Sequence, residues 1–302
     1  MKGKGNGLYA HARLGRYGLA HGILAWARSV VWSEQSGATL MAPLWFRLRI
    51  GPFLRRERDK RTYFLLFHSG GALSGLRRLW VLATSAREQV GQSWPASGRP
   101  TGKRVFIFTN ALADNEKKCF DQVRGYGPLL RTRLIAMTRR RYLPDRPFAP
   151  FIAVHIRLGD FAPPADAAAL AANNVRLPLD WYHNRLSALR LALDKPVDVL
   201  LFSDGSDAEL APLLRLAGVR RAPPAQSVTD LLAMGDALAV IASGSGFSLW
   251  GAFLGSAPRI SFPGREIVPI YDDPTRDLSS GFDDPIPDSF LAHLRDRLPQ
   301  PC

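Results

Sequence analysis

Cysteine is scarce in this chain: Cys119 and Cys302 are the two in 302 residues. Two thiols cannot build a disulfide framework, and neither has the spacing of a metal site, so both are expected as reduced side chains. Acidic residues are short as well, with 26 Asp and Glu against 40 Lys and Arg. No Asp-x-Asp triplet occurs and the six histidines form no close group, so no metal site is expected. A Walker-type phosphate loop and a Gly-x-Ser-x-Gly elbow are both missing, which disfavours ordinary nucleotide hydrolases and esterases. Met1 to Gly18 holds no continuous apolar core after its basic residues, so no secretory leader is read and a cytoplasmic location is expected. The uncharged run Ala237 to Pro258 is long enough to resemble a membrane span. Its four Gly, four Ser and one Pro make strand, loop and helix the better reading.

What is present points to two domains. The length exceeds one ordinary hydrophobic core, and an apolar content of 46% supports globular folding. Charge is divided unevenly: residues 1–150 carry 27 Lys and Arg against 8 Asp and Glu, while residues 151–302 carry 13 against 18. The first half is therefore the half that would favour anionic surfaces. Its densest cluster is Arg47, Arg49, Arg55, Arg56, Arg58, Lys60 and Arg61, with Arg139, Arg140 and Arg141 downstream. Residues 47–61 read either as a solvated face or as a peripheral contact with acidic headgroups or an acidic glycan. No nucleic-acid-binding motif accompanies the charge, so nucleic acid is not expected as a partner.

Apolar runs at Tyr63 to Phe67, Val105 to Phe108, Phe151 to Ile156, Val197 to Phe202, Leu238 to Ala242 and Arg259 to Phe262 predict strands. From Leu179, the positions Tyr182, Leu186, Leu189 and Leu193 follow helical spacing and leave His183, Asn184, Arg185 and Arg190 for solvent. Further helices are expected over about 207–216 and 228–235. A Gly-containing turn at Gly15 leads into a helix reaching about Gln35, followed by a strand near Ala38 to Ala42. Alternating strands and helices from residue 151 onward predict a parallel sheet covered on both faces. The Pro-rich join from Leu143 to Pro150 reads as a linker, dividing the chain into 1–147 and 148–302.

Two loops carry candidate chemistry. In His155-Ile-Arg157-Leu-Gly159-Asp160, the arginine sits where a strand ends, and its planar fork suits a diphosphate. Asp160 would brace Arg157 or accept a proton, and Gly159 would permit a tight turn. A plain strand-end ion pair between Arg157 and Asp160, with His155 capping the core, fits the same spacing. In Ser243-Gly-Ser245-Gly246-Phe247-Ser248, small residues before an apolar helix offer amides and hydroxyls to an anion. The glycines would equally serve a tight turn, and Phe247 would stack on a base or fill the core. Asp230, at a helix start, would accept from guanine or cap the helix. Asp204 precedes Gly205 and reads as a turn residue.

Three segments in order resemble the fucosyltransferase superfamily, in particular bacterial α-1,2-fucosyltransferases. Gly15-Arg-Tyr-Gly18 with the helix through Arg28 is similar to the family's opening Gly-Arg-Leu-Gly-Asn-Gln loop. His155-Ile-Arg157-Leu-Gly159-Asp160 is similar to its His-x-Arg-Arg-Gly-Asp signature. Leu200 to Asp204 and Asp230 to Met234, leading into Ser245 to Phe253, are similar to its Ser-Ser-Phe-Ser-Trp-Trp-Gly-Ala-Trp run. Leu158 stands in place of the second arginine, Leu19-Ala20 in place of Asn-Gln, and Gly246 in place of a serine.

The resemblance implies an α/β, GT-B-like architecture, two Rossmann-like domains facing a cleft, with 1–147 on the acceptor side and 148–302 binding the nucleotide sugar. It implies metal-independent inverting transfer of fucose from GDP-fucose to a glycan or lipid-linked oligosaccharide, with no cofactor. By position, Arg157 would hold the donor phosphates, His155 and Asp230 would lie near the guanine, and Ser245, Gly246 and Phe247 would line the phosphate and base pocket. Asp160 and Asp166 are the nearest candidates for a catalytic base. The alternatives are a transferase of the same fold using another nucleotide sugar, and a non-catalytic glycan- or membrane-binding relative. The expected location is cytoplasmic, where the protein could lie peripheral to the inner face of the membrane.

Overall fold

The computed structural model describes residues 7–15, 18–45, 63, 65–91, 93–95, 102–109, 120–144, 150–172, 174–266 and 268–298. Arg47 to Arg61, Cys119 and Cys302 lie outside these residues. The chain divides into two compact units, Met1–Leu143 and Pro144–Cys302.

The first unit contains β1 (Leu8–Ala12), α1 (Leu19–Ser36), β2 (Thr39–Met41), α2 (Gly75–Thr84), β3 (Ala86–Val90), β4 (Arg104–Phe108) and α3 (Gly127–Met137). Its sheet runs β2-β1-β4-β3, and every pairing is parallel. Alternation along the strands sends Leu8, Ala10, Phe106 and Phe108 to one core, where Trp32 of α1 covers them with its ring 4.7 Å from that of Phe106. Tyr9, Val105 and Ile107 serve the opposite face, with Val81 of α2. Arg28 of α1 is fully buried, yet its guanidinium reaches the Thr109 carbonyl at 2.9 Å, Gln122 Oε1 at 2.7 Å and the Gly91 carbonyl. It thereby ties the helix to the chain just after β3 and β4.

The expected strand over Tyr63 to Phe67 is not formed. Leu66 N–H closes a turn onto the Tyr63 carbonyl, and Phe67 makes an isolated bridge to Thr138. The segment crosses the carboxyl end of α3 instead of entering the sheet: His68 N–H donates to the Met137 carbonyl and Arg139 N–H to that of Leu66. Leu66 and Phe67 are buried in local packing, with the Phe67 ring 4.4 Å from Trp45, while Leu65 is exposed.

The second unit contains β5 (Phe151–Ile156), α4 (Leu179–Leu193), β6 (Asp198–Ser203), α5 (Asp207–Leu214), β7 (Val219–Arg221), α6 (Ser227–Gly235), β8 (Ala239–Ala242), α7 (Gly246–Gly255), β9 (Arg259–Ser261), β10 (Asp277–Ser279) and α8 (Asp288–Arg295). The all-parallel sheet has the order β10-β9-β8-β5-β6-β7. From β5 the chain winds outward through β6 and β7, then returns across β5 to wind the other way through β8, β9 and β10. The reversal lies between β5 and β8, and open α/β sheets bind ligands above the carboxyl ends of strands at such a switch point.

The uncharged run from Ala237 to Pro258 is β8 plus the almost wholly buried α7, and no described helix is long and apolar enough to cross a membrane. Arg185 departs from the sequence expectation. It is 2% exposed, because its guanidinium donates to Ser280 Oγ at 2.8 Å and to main-chain oxygens of the 280–284 loop. Helices α6 and α7 touch through glycine. A Cβ on Gly255 would overlap the Gly235 carbonyl, and one on Gly251 would stand 3.0 Å from Met234. Arg297 donates to carbonyls at the ends of both helices, Gly235, Ala237, Gly255 and Ser256, where a cation also suits the helix dipoles.

Substituting Gly255→Ala is therefore expected to destabilise the fold by about 1–3 kcal/mol or more through overpacking. Urea unfolding checks this, and an unchanged midpoint would contradict the helix contact described.

Candidate functional site

Strand β5 is buried along its whole length, which places the polar residues that follow it at the carboxyl edge of the sheet. There the Arg157 guanidinium lies between two carboxylates. Its Nε and Nη2 donate to Asp160 Oδ1 at 2.9 and 2.8 Å, and its Nη1 lies 2.9 Å from Asp204 Oδ2. The other oxygen of Asp204 accepts the Leu158 N–H at 2.8 Å. One carboxylate thus fixes both the backbone and the side chain of the motif.

This fit depends on two missing side chains. A Cβ on Gly159 would stand 2.5 Å from Asp204 Oδ2, and a Cβ on Gly205 would overlap Leu158 Cδ1. Gly159 is required by the close approach of a carboxylate, which differs from the turn role expected of it. Leu158 is buried, so the position that carries a second arginine in the resembling motif here packs against the neighbouring loop. Arg221 of β7 steadies that loop from below, donating through Nη2 to the carbonyls of Ser203 and Gly205 and through Nη1 to Asp207.

Asp204 corrects the sequence reading. It does lie at a bend, but its carboxylate serves Arg157 and Leu158, 46 residues away along the chain. No local spacing marks such a partner. Arg221 is a second residue that local pattern leaves unmarked.

Across the switch point, the loop after β8 meets the same strand. His155 is buried, and its Nδ1 lies 2.8 Å from Ser243 Oγ and 3.4 Å from Ser245 Oγ. Burial, reinforced by the Arg157 charge and opposed by Asp204, lowers its pKa to about 4, so the imidazole is neutral near pH 7. The half-buried Phe247 ring sits 5.5 Å from the His155 ring at 36°. Ser245 is the N-cap of α7 and accepts the Ser248 N–H, while Leu249 N–H bonds the Ser245 carbonyl. The first-turn amides of Gly246 and Phe247 have no intrahelical acceptor and point out of the helix start.

The geometry therefore brings together His155, Arg157, Asp160, Ser245, Gly246 and Phe247, and adds Asp204 and Ser243. Asp230 stands on a different element, half-buried in the first turn of α6. It is not the N-cap, a position held by Gln226, whose carbonyl accepts the Asp230 N–H. Asp166 is exposed and accepts the Ala169 N–H at 2.8 Å, capping a short 3-10 turn. Among the described residues, no group of three His, Cys, Asp or Glu is placed to hold a metal.

Arg157 keeps 31% of its side chain exposed. Three of its five N–H groups face Asp160 and Asp204, leaving one on each terminal nitrogen, a pair suited to two oxygens of one anion. The fork and the amides at the start of α7 are each groups that can accept an anion, and they follow the adjacent strands β5 and β8.

The neutral, buried His155 sets a pH dependence. Between pH 4 and about 6.5 the unfolded chain binds a proton at this residue that the folded chain does not, so folding stability falls as pH drops through that window. The full loss is on the order of 3 kcal/mol from this residue. Urea unfolding from pH 7 to 4 is expected to show a shallower decline in His155→Gln than in the parent chain, and identical slopes would contradict the neutral assignment.

No protein-family model and no curated protein matches the chain. Among solved structures it is similar to the fucosyltransferase NodZ from Bradyrhizobium, at 16% identity and a TM-score of 0.44, covering 84% of this chain and 96% of that one. It is also similar to POFUT1 in its apo form, at 12% identity and a TM-score of 0.47 over 86% and 98% of the two chains. A variant of Arabidopsis thaliana FUT1 in complex with GDP is similar at 12% identity and a TM-score of 0.44 over 84% and 70%.

Proposed function

We propose that the chain is a metal-independent inverting glycosyltransferase whose second unit binds a nucleoside-diphosphate sugar, with GDP-fucose as the donor. The observation that carries this reading is the joint placement of the Arg157 fork and the α7 amides at one switch point, coupled through His155 and its two serine partners. The motifs around both elements supply the sugar and base identity by resemblance. The first unit takes the acceptor, a glycan or lipid-linked oligosaccharide.

In the proposed reaction an acceptor hydroxyl oxygen attacks the anomeric carbon of the sugar. A new C–O bond forms as the bond to the diphosphate oxygen breaks, the electron pair leaves with the diphosphate, and the hydroxyl proton passes to solvent or a carboxylate. Arg157 and the Gly246 and Phe247 amides stabilise the charge that grows on the leaving group. Asp160, the more exposed partner of Arg157 at 54%, is the carboxylate that an incoming phosphate can displace, while Asp204 stays in place through Leu158. His155 acts as a positioning residue for Ser243 and Ser245, Phe247 offers a ring to the base, and Asp230 supplies an acceptor for the guanine N–H groups.

The doubly paired state of Arg157 also fits a second reading, in which it only clamps two loops and the protein binds no nucleotide. One variant separates the two. Arg157→Ala is expected to lower transfer about 100- to 1000-fold, the usual cost of removing one preorganised donor to a developing anion, while the protein remains folded. Nucleoside diphosphate release in a donor screen that includes GDP-fucose checks this. Near-normal turnover in the variant would contradict the catalytic role.

A further inference from the structure

The first unit buries a second arginine in a different way from Arg28. On α2, Arg78 and Val81 are the two buried residues, and they face the sheet surface on which Tyr9, Val105 and Ile107 lie. Val81 completes an apolar contact. Arg78 brings a charge into it and is 6% exposed. Its Nε is buried without an acceptor, whereas its two terminal nitrogens are not among the buried unpartnered atoms and make no described hydrogen bond or ion pair, which leaves the fork open to solvent. Other deeply buried guanidinium groups of the chain are answered: Arg28 by Thr109 and Gln122, Arg185 by Ser280, and Arg259 by both oxygens of Asp277 at 2.7 Å. A guanidinium whose stem is buried while its fork is unbonded and open is held ready for a partner that arrives from outside.

The surroundings say what kind of partner. His11 alternates with Leu8 and Ala10 along β1 and so shares the α2 face with Tyr9. Its Nδ1 is also buried with no hydrogen-bond partner. Three charges act on this imidazole, Arg78 of α2, Arg13 just beyond β1 and Arg87 of β3, and all three are positive. Together with burial they hold its pKa near 4. Arg87 is committed to the Leu82 carbonyl, whereas Arg13 is exposed beside the strand end. His11 and Arg13 lie at the carboxyl end of β1, and β1 is the strand from which the chain winds first to β2 on one side and later, by way of the far edge β3, to β4 on the other. This is the second switch point of the protein.

We propose that Arg78, His11 and Arg13 form an anion-binding site of the first unit that takes a phosphoryl group. The excess of positive charge favours a dianion over a carboxylate, the Arg78 fork matches two phosphoryl oxygens, and the unpaired His11 nitrogen offers a further hydrogen-bonding position. The site is independent of the Arg157 site in the second unit, and its existence does not require the glycosyltransferase reading.

Thermal unfolding of the full chain in inorganic phosphate at constant ionic strength tests it, with acetate as the carboxylate arm. Because the Arg157 site can itself take phosphate, the measurement is made in Arg157→Ala, whose melting temperature phosphate is expected to raise. Arg78→Met, added to that background, is expected to gain nothing from phosphate. Should Arg78→Met fail to fold, Arg78→Lys carries the test, with phosphate affinity weakened about tenfold or more by loss of the fork. A parent chain indifferent to phosphate overturns the proposal. So does a phosphate response that is absent in Arg157→Ala, or that survives there when Arg78→Met is added or is unchanged when Arg78→Lys is added, and so does an acetate response as large as that to phosphate.

Discussion

The carboxylate of Asp204 is the contact on which the second unit's site depends. It receives the Leu158 amide on one oxygen and lies against the Arg157 guanidinium on the other, joining the ends of β5 and β6. Charge-assisted hydrogen bonds of this kind are worth about 1.5–3 kcal/mol each when shielded, and Asp204 is 21% exposed, so its contribution lies toward the lower end. The larger effect is geometric. Gly159 and Gly205 clear the space, Leu158 locks into it, and Arg221 holds the carbonyls on either side of Asp204. The guanidinium is consequently held on its Asp204 side before any ligand arrives, and a donor already in place stabilises developing charge more effectively than one that must be recruited.

The other half of the site is set by the strand order. Because the chain reverses direction between β5 and β8, the loops after these two strands diverge and leave room between them. His155 spans that gap through the hydroxyls of Ser243 and Ser245, and its neutrality matters because a charged imidazole would be expensive so far from water. Ser245 then caps α7, which orients the first-turn amides toward the same edge. Two sources of positive potential, a side chain and a helix start, thus sit after adjacent strands, each held by its own short contacts. The site's polar groups sit on strand ends whose buried neighbours, Val154, Ile156, Leu201 and Ile241, fix them rigidly.

Much of this was legible in the sequence wherever the pattern was local. The six-residue apolar run of β5, the periodic positions of α4 and the small residues before α7 all announce their elements. The His155 to Asp160 and Ser243 to Ser248 segments stand out because polar groups interrupt apolar runs. What was illegible depends on partners distant in the chain. Asp204 looks like an ordinary turn residue until β5 and β6 pair, and Arg185 occupies a helix position that would face water had the 280–284 loop not folded over it. Strand β3, Ala86–Val90, is mostly exposed and polar, so it shows no buried face to detect. The apolar Tyr63 to Phe67 segment misleads for the opposite reason, since Phe67 packs against Trp45 and the main chain bonds the end of α3, while Leu65 stays exposed.

The central claim is that Arg157 and the start of α7 converge on one diphosphate. Calorimetric titration of the full chain with GDP, GMP and guanosine tests it most directly. If each phosphate meets charge-assisted donors, GDP binds at least about tenfold more tightly than GMP, and GMP more tightly than guanosine. Equal affinity for the three, or no detectable binding of GDP, would contradict it.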